Sequence, residues 1–254
     1  MKRTRRGGCL PTLIVLLVVL GIAAVVADRV AASVAEKRIA QLVKDQGARQ
    51  HVQVGSVGAT VDGFPFLTQA WRGRFQGGEL VLRDVTVTNA GTRTGTVKIS
   101  TVNVDVVGLT VPRDVLTGSA QPHDVVADRL NGTASVPTSQ LAAAVGMKGL
   151  VLSGSGDTVR FTAPVSVAGL SLNVNGTARI RLQGDRVLLD VQNVQAAGVE
   201  VPKAIIDQVT SQFAGGATLP PLPLGLKVTS VRLKGTDVEI TGEARKVNLA
   251  SARG

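Results

Sequence analysis

Short runs in which aliphatic residues alternate with polar ones occupy much of the chain after residue 50, and this period of two is typical of β-strands with one buried face. The runs fall at residues 51–61, 80–87, 97–106, 159–163, 170–174, 180–182, 189–191, 231–233 and 238–240. Glycine-containing turn sequences separate many of them, at 89–91, Asn175–Gly176, 183–185 and 234–235. Because such short connections join antiparallel neighbours, the sequence predicts an antiparallel β-meander.

Two local features modify this pattern. The apolar residues change from odd to even positions near Ser100–Thr101, which predicts a β-bulge or a break in that strand. Asn131–Gly132 and Asn175–Gly176 are each followed by threonine, so both match a glycosylation acceptor pattern. Since Asn-Gly is first of all a turn signal, turns are predicted at both positions.

The composition limits what can fill a core. Hydrophobic residues make up 44% of the 254 residues and charged residues 18%, which excludes intrinsic disorder and a coiled coil. Aromatic residues make up only 2%, with five phenylalanines, one tryptophan and no tyrosine. The core must therefore be built from valine, leucine, isoleucine and alanine.

An uncharged stretch, Leu10–Ala27, follows a basic cluster at residues 2–6. As a helix it would span about 27 Å, close to the hydrocarbon thickness of a bilayer. The basic flank should stay in the cytoplasm, which places the chain after Ala27 outside the membrane. Two outcomes stay open. The length favours an uncleaved membrane anchor, and the small residues at 25–27 fit a signal peptide cleaved after Ala27, which would release the protein to the cell envelope.

Three further helices are predicted. They cover residues 28–46, 137–145 and 202–214, and each is followed directly by a glycine. The first has Val30, Val34, Ile39 and Leu42 near one face, and proline begins the other two. Between residues 28 and 254 no segment is rich enough in proline, serine or charge to divide the chain. We therefore expect residues 1–27 to be a signal peptide or signal anchor and residues 28–254 to be one extracytoplasmic domain.

The chain offers little material for catalysis or metal binding. It has one cysteine, Cys9, and two histidines, His51 and His123, and no nucleotide-binding loop, nucleophilic-serine motif or metal-ligand motif is present. The sequence thus predicts no enzyme activity, no catalytic residues, no metal and no cofactor. The net charge is +10, but we do not expect the protein to bind nucleic acid, because it has almost no aromatic residues on which bases could stack. An anionic membrane surface or envelope polymer is the expected partner.

The most informative segment is Asp62–Arg74, which holds two of the five phenylalanines and the only tryptophan. One interpretation is a membrane-contacting or cavity-gating element, because aromatic rings insert at the headgroup boundary and nearby arginines pair with phosphates. The other is a core plug, in which Phe64 and Phe66 close one end of a sheet and Trp71 packs behind them. The candidate lipid-binding or membrane-contacting residues are Phe64, Pro65, Phe66, Leu67, Trp71, Arg72 and Arg74.

The run Gly63–Gln69, followed by Gly73, resembles the signature of the actinobacterial LmeA-like phospholipid-binding family, envelope proteins associated with lipomannan elongation. The N-terminal membrane segment, the Asp28–Arg29 pair and the proline- and leucine-rich segment 219–226 agree with it. The resemblance implies a non-enzymatic protein that binds phospholipid, phosphoinositide-type lipids among them. It also implies an α+β fold in which a long, strongly curved antiparallel β-sheet wraps around helices, as in tubular lipid-binding domains, preceded by an N-terminal membrane helix.

Two functions of different classes stay open. The first is an extracytoplasmic cell-envelope protein that binds phospholipid, and can transfer it, in an aliphatic channel between sheet and helices, in support of lipid and lipoglycan assembly. Such a channel needs no precise polar constellation, because each buried methylene contributes about 0.8 kcal/mol. The second is a structural or scaffolding envelope module that contacts polymer-synthesising enzymes without binding lipid.

Overall fold

The structure of the protein is a computed structural model, and it describes residues 9–49, 51–88, 96–120, 124–140, 149–167, 170–184, 186–196, 199–200, 217–218 and 225–249. Several sequence-based predictions lie outside these ranges: the turn at 89–91, the helix at 202–214 and the segment 219–224. Of the predicted helix at 137–145, Thr138–Gln140 are helical and the rest lies outside the described residues.

The first element, α1, is a single helix from Cys9 to Arg49. The helix predicted from Asp28 is confirmed, but its predicted end before Gly47 is wrong, because α1 continues to Arg49. Glycine weakens a helix without necessarily ending it. Here it leaves room for the chain that follows, since a Cβ on Gly47 would lie 3.0 Å from the carbonyl oxygen of Val52. By length and composition, Leu17–Arg49 could cross a membrane, with a mean hydropathy of 2.1.

Besides the helical residues Thr138–Gln140, twelve strands and two short helices follow within the described residues. The strands are β1 Val52–Asp62, β2 Arg74–Thr88, β3 Thr96–Thr110, β4 Val126–Pro137, β5 Val151–Gly156, β6 Thr158–Val167, β7 Leu170–Gln183, β8 Arg186–Ala196, β9 Val199–Glu200, β10 Ala217–Thr218, β11 Lys227–Gly235 and β12 Asp237–Asn248. The helices are α2 Phe66–Arg72, between β1 and β2, and α3 Arg113–Leu116, after β3. The sequence patterns predicted neither helix.

All strand pairs are antiparallel and belong to one sheet, as predicted. The order is β1-β2-β3-β4-β12-β11-β5-β6-β7-β8-β10, with β9 also beside β8, and the sheet is not closed. The prediction of a simple meander is wrong at the centre. β1–β4 and β5–β8 are two meanders, and the C-terminal hairpin β11–β12 lies between them, where β12 pairs with β4 and β11 with β5.

The turns predicted at the two Asn-Gly pairs are also wrong. Asn131–Gly132 lies inside β4 and Asn175–Gly176 inside β7. At Gly176 the glycine serves close packing instead of a turn. A Cβ on Gly176 would overlap the ring of Phe161 on the neighbouring strand. By contrast, the hairpin predicted at 234–235 does connect β11 to β12.

The bulge or break predicted near Ser100–Thr101 is absent, because β3 is one strand and keeps a single pairing register with β2. The change in apolar positions lies opposite Asp84 on β2. Asp84 on β2 has a φ of 54°, a left-handed conformation that is uncommon for residues other than glycine. On either side of it, the apolar positions of β2 pass from Leu82 to Val85, a step of three instead of two, and these residues pair with Val102 and Ile99 of β3.

Two clusters of buried aliphatic residues lie in the sheet. The first lies where the N-terminal meander meets the C-terminal hairpin and comprises Ala127, Leu130, Ala244 and Val247. The second lies across β6, β7, β11 and β12 and comprises Val159, Ile180, Leu233 and Val238. None of these residues is aromatic, and Phe75 is the one aromatic residue among the buried hydrophobic residues that the structure describes, so the core is aliphatic as predicted except for this ring.

Helix α1 packs on β1 through small residues and not through the predicted apolar face. Ala32 is buried, whereas Val30, Val34, Ile39 and Leu42 are exposed. Alanine lets the helix backbone approach the strand closely. Glu36 on the same helix accepts a hydrogen bond from the backbone N–H of Val61 at 3.0 Å. Helix α1 therefore also provides a hydrogen-bond partner for a backbone N–H group of β1, an edge strand of the sheet.

Candidate functional site

The segment between β1 and β2 is held against α1 by a buried carboxylate. Asp28 is only 3% exposed. Its Oδ2 accepts a hydrogen bond from the backbone N–H of Phe66 at 2.9 Å, and its Oδ1 accepts one from that of Leu67 at 2.7 Å. These two donors belong to the first turn of α2, whose backbone N–H groups have no partner within the helix. Asp28 therefore caps α2 from another helix and fixes the position of α2 on α1.

A second buried polar side chain, Gln69, ties α2 to both neighbouring strands. Its Nε2 donates to the carbonyl oxygen of Asp62 at 3.1 Å, and its Oε1 accepts from the backbone N–H of Gln76 at 2.8 Å. Asp62 ends β1 and Gln76 lies near the start of β2. Both ends of the amide are thus satisfied, as burial requires, and the loop is fixed at its two ends.

Two glycines of the 63–73 run have left-handed backbones that this arrangement requires. Gly63 has a φ of 90°, and a Cβ there would overlap the side chains of Gln69 and Gln76. Gly73 has a φ of 66° and ends α2. A Cβ on Gly73 would lie 2.6 Å from the carbonyl oxygen of Val111. The two glycines therefore allow the tight path from β1 through α2 to β2.

The core-plug interpretation of the aromatic residues is wrong for two of the three rings. Phe64 is 49% exposed and Trp71 is 76% exposed. Phe66 is half-buried and packs against the buried ring of Phe75, with the two ring centroids 5.9 Å apart. Leu67 is also exposed. Phe66 therefore supports the fold, whereas Phe64, Leu67 and Trp71 face outward.

An open cavity of about 370 Å³ lies beside α2. Its lining combines apolar rings with polar and positively charged groups: Phe64, Pro65, Thr68, Gln69, Arg72, Arg74, Phe75 and Gln76. The Phe64–Pro65 peptide bond at its edge is cis. A cavity lined by two arginines and two phenylalanines suits an amphiphilic anion.

Two more arginines lie over the exposed rings. The guanidinium of Arg29 on α1 is 5.1 Å from the centroid of the Phe64 ring. That of Arg113 on α3 is 5.3 Å from the centroid of the Trp71 ring. Both distances are within the range of a cation–π contact. Positive charge and aromatic surface therefore occur together on this end of the molecule.

The structure brings four of the seven candidate residues into the cavity lining, namely Phe64, Pro65, Arg72 and Arg74. Phe66 supports the loop from the inside, and Leu67 and Trp71 lie outside the lining. Sequence reasoning did not identify Asp28, Gln69 or Phe75 as parts of this site. The neighbouring Asp28 and Arg29 were noticed only as part of a resemblance, since no local pattern links a residue on α1 to a loop 38 residues away.

Within the described ranges, no three His, Cys, Asp or Glu side chains come together in a way that could hold a metal ion. The carboxylate of Asp28 has structural partners instead, the backbone N–H groups of Phe66 and Leu67. The cavity lining offers positive charge, hydrogen-bonding groups and apolar contact to a ligand.

Comparison with known proteins gives one match. A family model described as LmeA-like phospholipid-binding matches residues 26–243, which include α2, the cavity lining and nearly all of the sheet. A search of curated proteins and a search of solved structures each found no match.

Proposed function

Because the chain belongs to the LmeA-like phospholipid-binding family, we propose that this cell-envelope protein binds the headgroup of a phospholipid in the cavity beside α2. The acyl chains then lie along the apolar face of the sheet. The observation that carries the proposal is the mixed lining of the cavity, in which Arg72 and Arg74 accompany the rings of Phe64 and Phe75.

The size and chemistry of the cavity suit a headgroup. Ligand pockets generally measure about 300–1,000 Å³, and a cavity of about 370 Å³ is at the low end of that range. It therefore accommodates the phosphate and glycerol portion and not the complete lipid. Guanidinium groups bind phosphate oxygens with paired hydrogen bonds. We therefore assign the binding of the lipid phosphate to Arg72 and Arg74. Phosphoinositide-type lipids, whose headgroups carry further hydroxyl and phosphate groups, are the class we propose first.

The acyl chains need only aliphatic surface. Half-buried residues pack against the first buried cluster, that of β4 and β12, and among them are Val104, Val106 and Leu226. We propose that the sheet is strongly curved and wraps around helices, so that this face becomes an aliphatic channel. Each methylene of a lipid that enters it contributes about 0.8 kcal/mol, so a long polar recognition site along the channel is unnecessary.

The proposed location is the outer face of the cytoplasmic membrane. The basic cluster at residues 2–6 stays in the cytoplasm, α1 is the anchor, and the sheet lies outside. Cleavage after Ala27 would change the anchoring and not the compartment. In this compartment the protein acts by binding and transferring lipid, not by catalysis, and we assign it to lipid and lipoglycan assembly in an actinobacterial envelope.

The test is lipid retention by the full chain. Native mass spectrometry of the chain purified in detergent, together with lipid extraction, should detect one bound phospholipid. Arg72→Gln combined with Arg74→Gln should weaken binding at least about tenfold, because hydrogen bonds to a charged group contribute roughly 1.5–3 kcal/mol each. Arg160→Gln is the matched control, since Arg160 is an exposed arginine on β6 outside the cavity lining.

A full chain that never retains or takes up phospholipid would contradict the proposal. If the control variant loses lipid equally, the lipid is not bound in the cavity beside α2. Absence of lipid together with a stable enzyme partner in crosslinking would favour the scaffolding function instead.

A further inference from the structure

The 64–71 segment has three exposed apolar side chains, and two of them, Leu67 and Trp71, are four residues apart on α2 and share one face of the helix. Phe64 and Leu67 are each 49% exposed and Trp71 is 76% exposed. Single exposed apolar residues are common on soluble proteins. Here, however, the only tryptophan of the chain and a rare phenylalanine lie within eight residues of each other. We call Phe64, Leu67 and Trp71 the aromatic patch.

The aromatic patch is fixed close to the end of the membrane-spanning stretch. Asp28 is the first residue after Leu10–Ala27, and its carboxylate binds the backbone N–H groups of Phe66 and Leu67. A helix rises 1.5 Å per residue, so the hydrogen-bonded first turn of α2 meets α1 directly where the apolar stretch ends. A bilayer that surrounds this stretch therefore has its headgroup layer at the level of α2.

The charges around the aromatic patch match that position. Arg29 lies over Phe64 and Arg113 lies over Trp71, so each ring has a cation beside it. Tryptophan is enriched at membrane–water interfaces, where its ring is apolar and its N–H remains hydrated. Basic residues next to a membrane segment attract anionic lipid.

We propose that the aromatic patch lies in the headgroup layer of the outer leaflet of the membrane that α1 spans, with Arg29 and Arg113 against the phosphates of anionic phospholipids. This inference deepens the proposed function, on which it rests for the compartment. It adds that the cavity opens at the leaflet surface, because Phe64 belongs to both the aromatic patch and the cavity lining. A phospholipid then reaches Arg72 and Arg74 without crossing bulk water.

Trp71 is its own reporter, because the chain has one tryptophan and no tyrosine. The full chain is reconstituted into nanodiscs of phosphatidylcholine and phosphatidylglycerol that carry lipids brominated either near the glycerol end or near the terminal methyl of the acyl chain. For a ring at the interface, bromine near the glycerol end should quench the emission about twofold more strongly than bromine near the terminal methyl. Trp71→Phe gives the background.

A tryptophan placed farther along α1 is the matched control. In the Trp71→Phe background, Leu42→Trp puts the ring at an exposed position about 22 Å beyond Ala27 along the helix. Its emission should be quenched by aqueous acrylamide and not by brominated lipid. Arg29→Gln combined with Arg113→Gln should abolish the increase in Trp71 quenching that phosphatidylglycerol produces over phosphatidylcholine alone.

Emission of Trp71 that responds to acrylamide as Leu42→Trp does, with no quenching by brominated lipid, would overturn the proposal. So would strongest quenching by bromine near the terminal methyl, which would place α2 in the hydrocarbon core. The Arg72→Gln, Arg74→Gln chain separates the two proposals. If it loses retained lipid but keeps the Trp71 quenching pattern, both stand. If the unsubstituted chain retains no lipid and still shows the pattern, only the headgroup cavity is wrong.

Discussion

Asp28→Asn is expected to lower the free energy of unfolding by about 3 kcal/mol, because two hydrogen bonds to a buried charged group are affected and each contributes roughly 1.5–3 kcal/mol. The amide oxygen of asparagine can still accept from one of the two backbone N–H groups. Its NH2 group faces the other, which leaves a buried donor without a partner. In a chain of this length the melting temperature should fall by about 6–12 °C.

Circular dichroism of the full chain in detergent measures this change at the β-sheet band. Asp45→Asn is the matched control, since Asp45 is an exposed aspartate on the same helix, where surface substitutions usually change stability by less than about 0.5 kcal/mol. Equal melting temperatures for the two variants would show that Asp28 does not fix α2 on α1.

Leu130→Ala should destabilise the chain by about 3 kcal/mol, within the range measured for leucine truncations in a core. Leu130 is 1% exposed and lies on β4, which pairs with β3 on one side and with β12 on the other. Truncation removes apolar contacts where the C-terminal hairpin joins the N-terminal meander. The expected result is a single transition with a melting temperature lower by about 6–12 °C.

The control for this substitution is Leu42→Ala, the same chemical change at a position on α1 that is 67% exposed. Its melting temperature should stay close to that of the unsubstituted chain. A loss confined to one part of the sheet, with two separate transitions, would mean that the hairpin β11–β12 does not join the two meanders into one cooperative unit.

The sequence predicted the elements of the fold better than their arrangement. Alternation identified most of the longer strands, since a buried face produces a period of two in the sequence, but it missed β4 and β5. It could not place β12 between β4 and β11, because pairing between segments more than 100 residues apart leaves no local pattern. The Asn-Gly pairs failed for a related reason. At Gly176 the lack of a side chain serves the approach of Phe161 from the next strand, which only the tertiary structure reveals.

For the candidate site, the small number of aromatic residues was the useful signal. Aromatic residues are so few that their concentration around Phe64–Trp71 marked the segment. What the sequence could not separate was the role of each ring, because exposure depends on contacts: Phe66 packs on Phe75, whereas Trp71 faces outward. The polar supports Asp28 and Gln69 lie in the segments that carry the resemblance, but no sequence pattern assigned either of them a structural role. Asp28 acts across 38 residues of chain, and a lone aspartate on a helix carries no indication of a distant partner.

The central claim is that phospholipid occupies the cavity beside α2, and a photoreactive residue there tests it most directly. Thr68 lines the cavity; Thr88 is an exposed threonine at the other end of β2, about 46 Å from Arg74 along the strand. Benzoylphenylalanine is introduced at each position of the full chain, which is purified in detergent so that the bilayer is removed before irradiation. Mass spectrometry should find a phospholipid adduct at position 68 and none at position 88. No phospholipid adduct at position 68, or equal yields at both positions, would contradict the account.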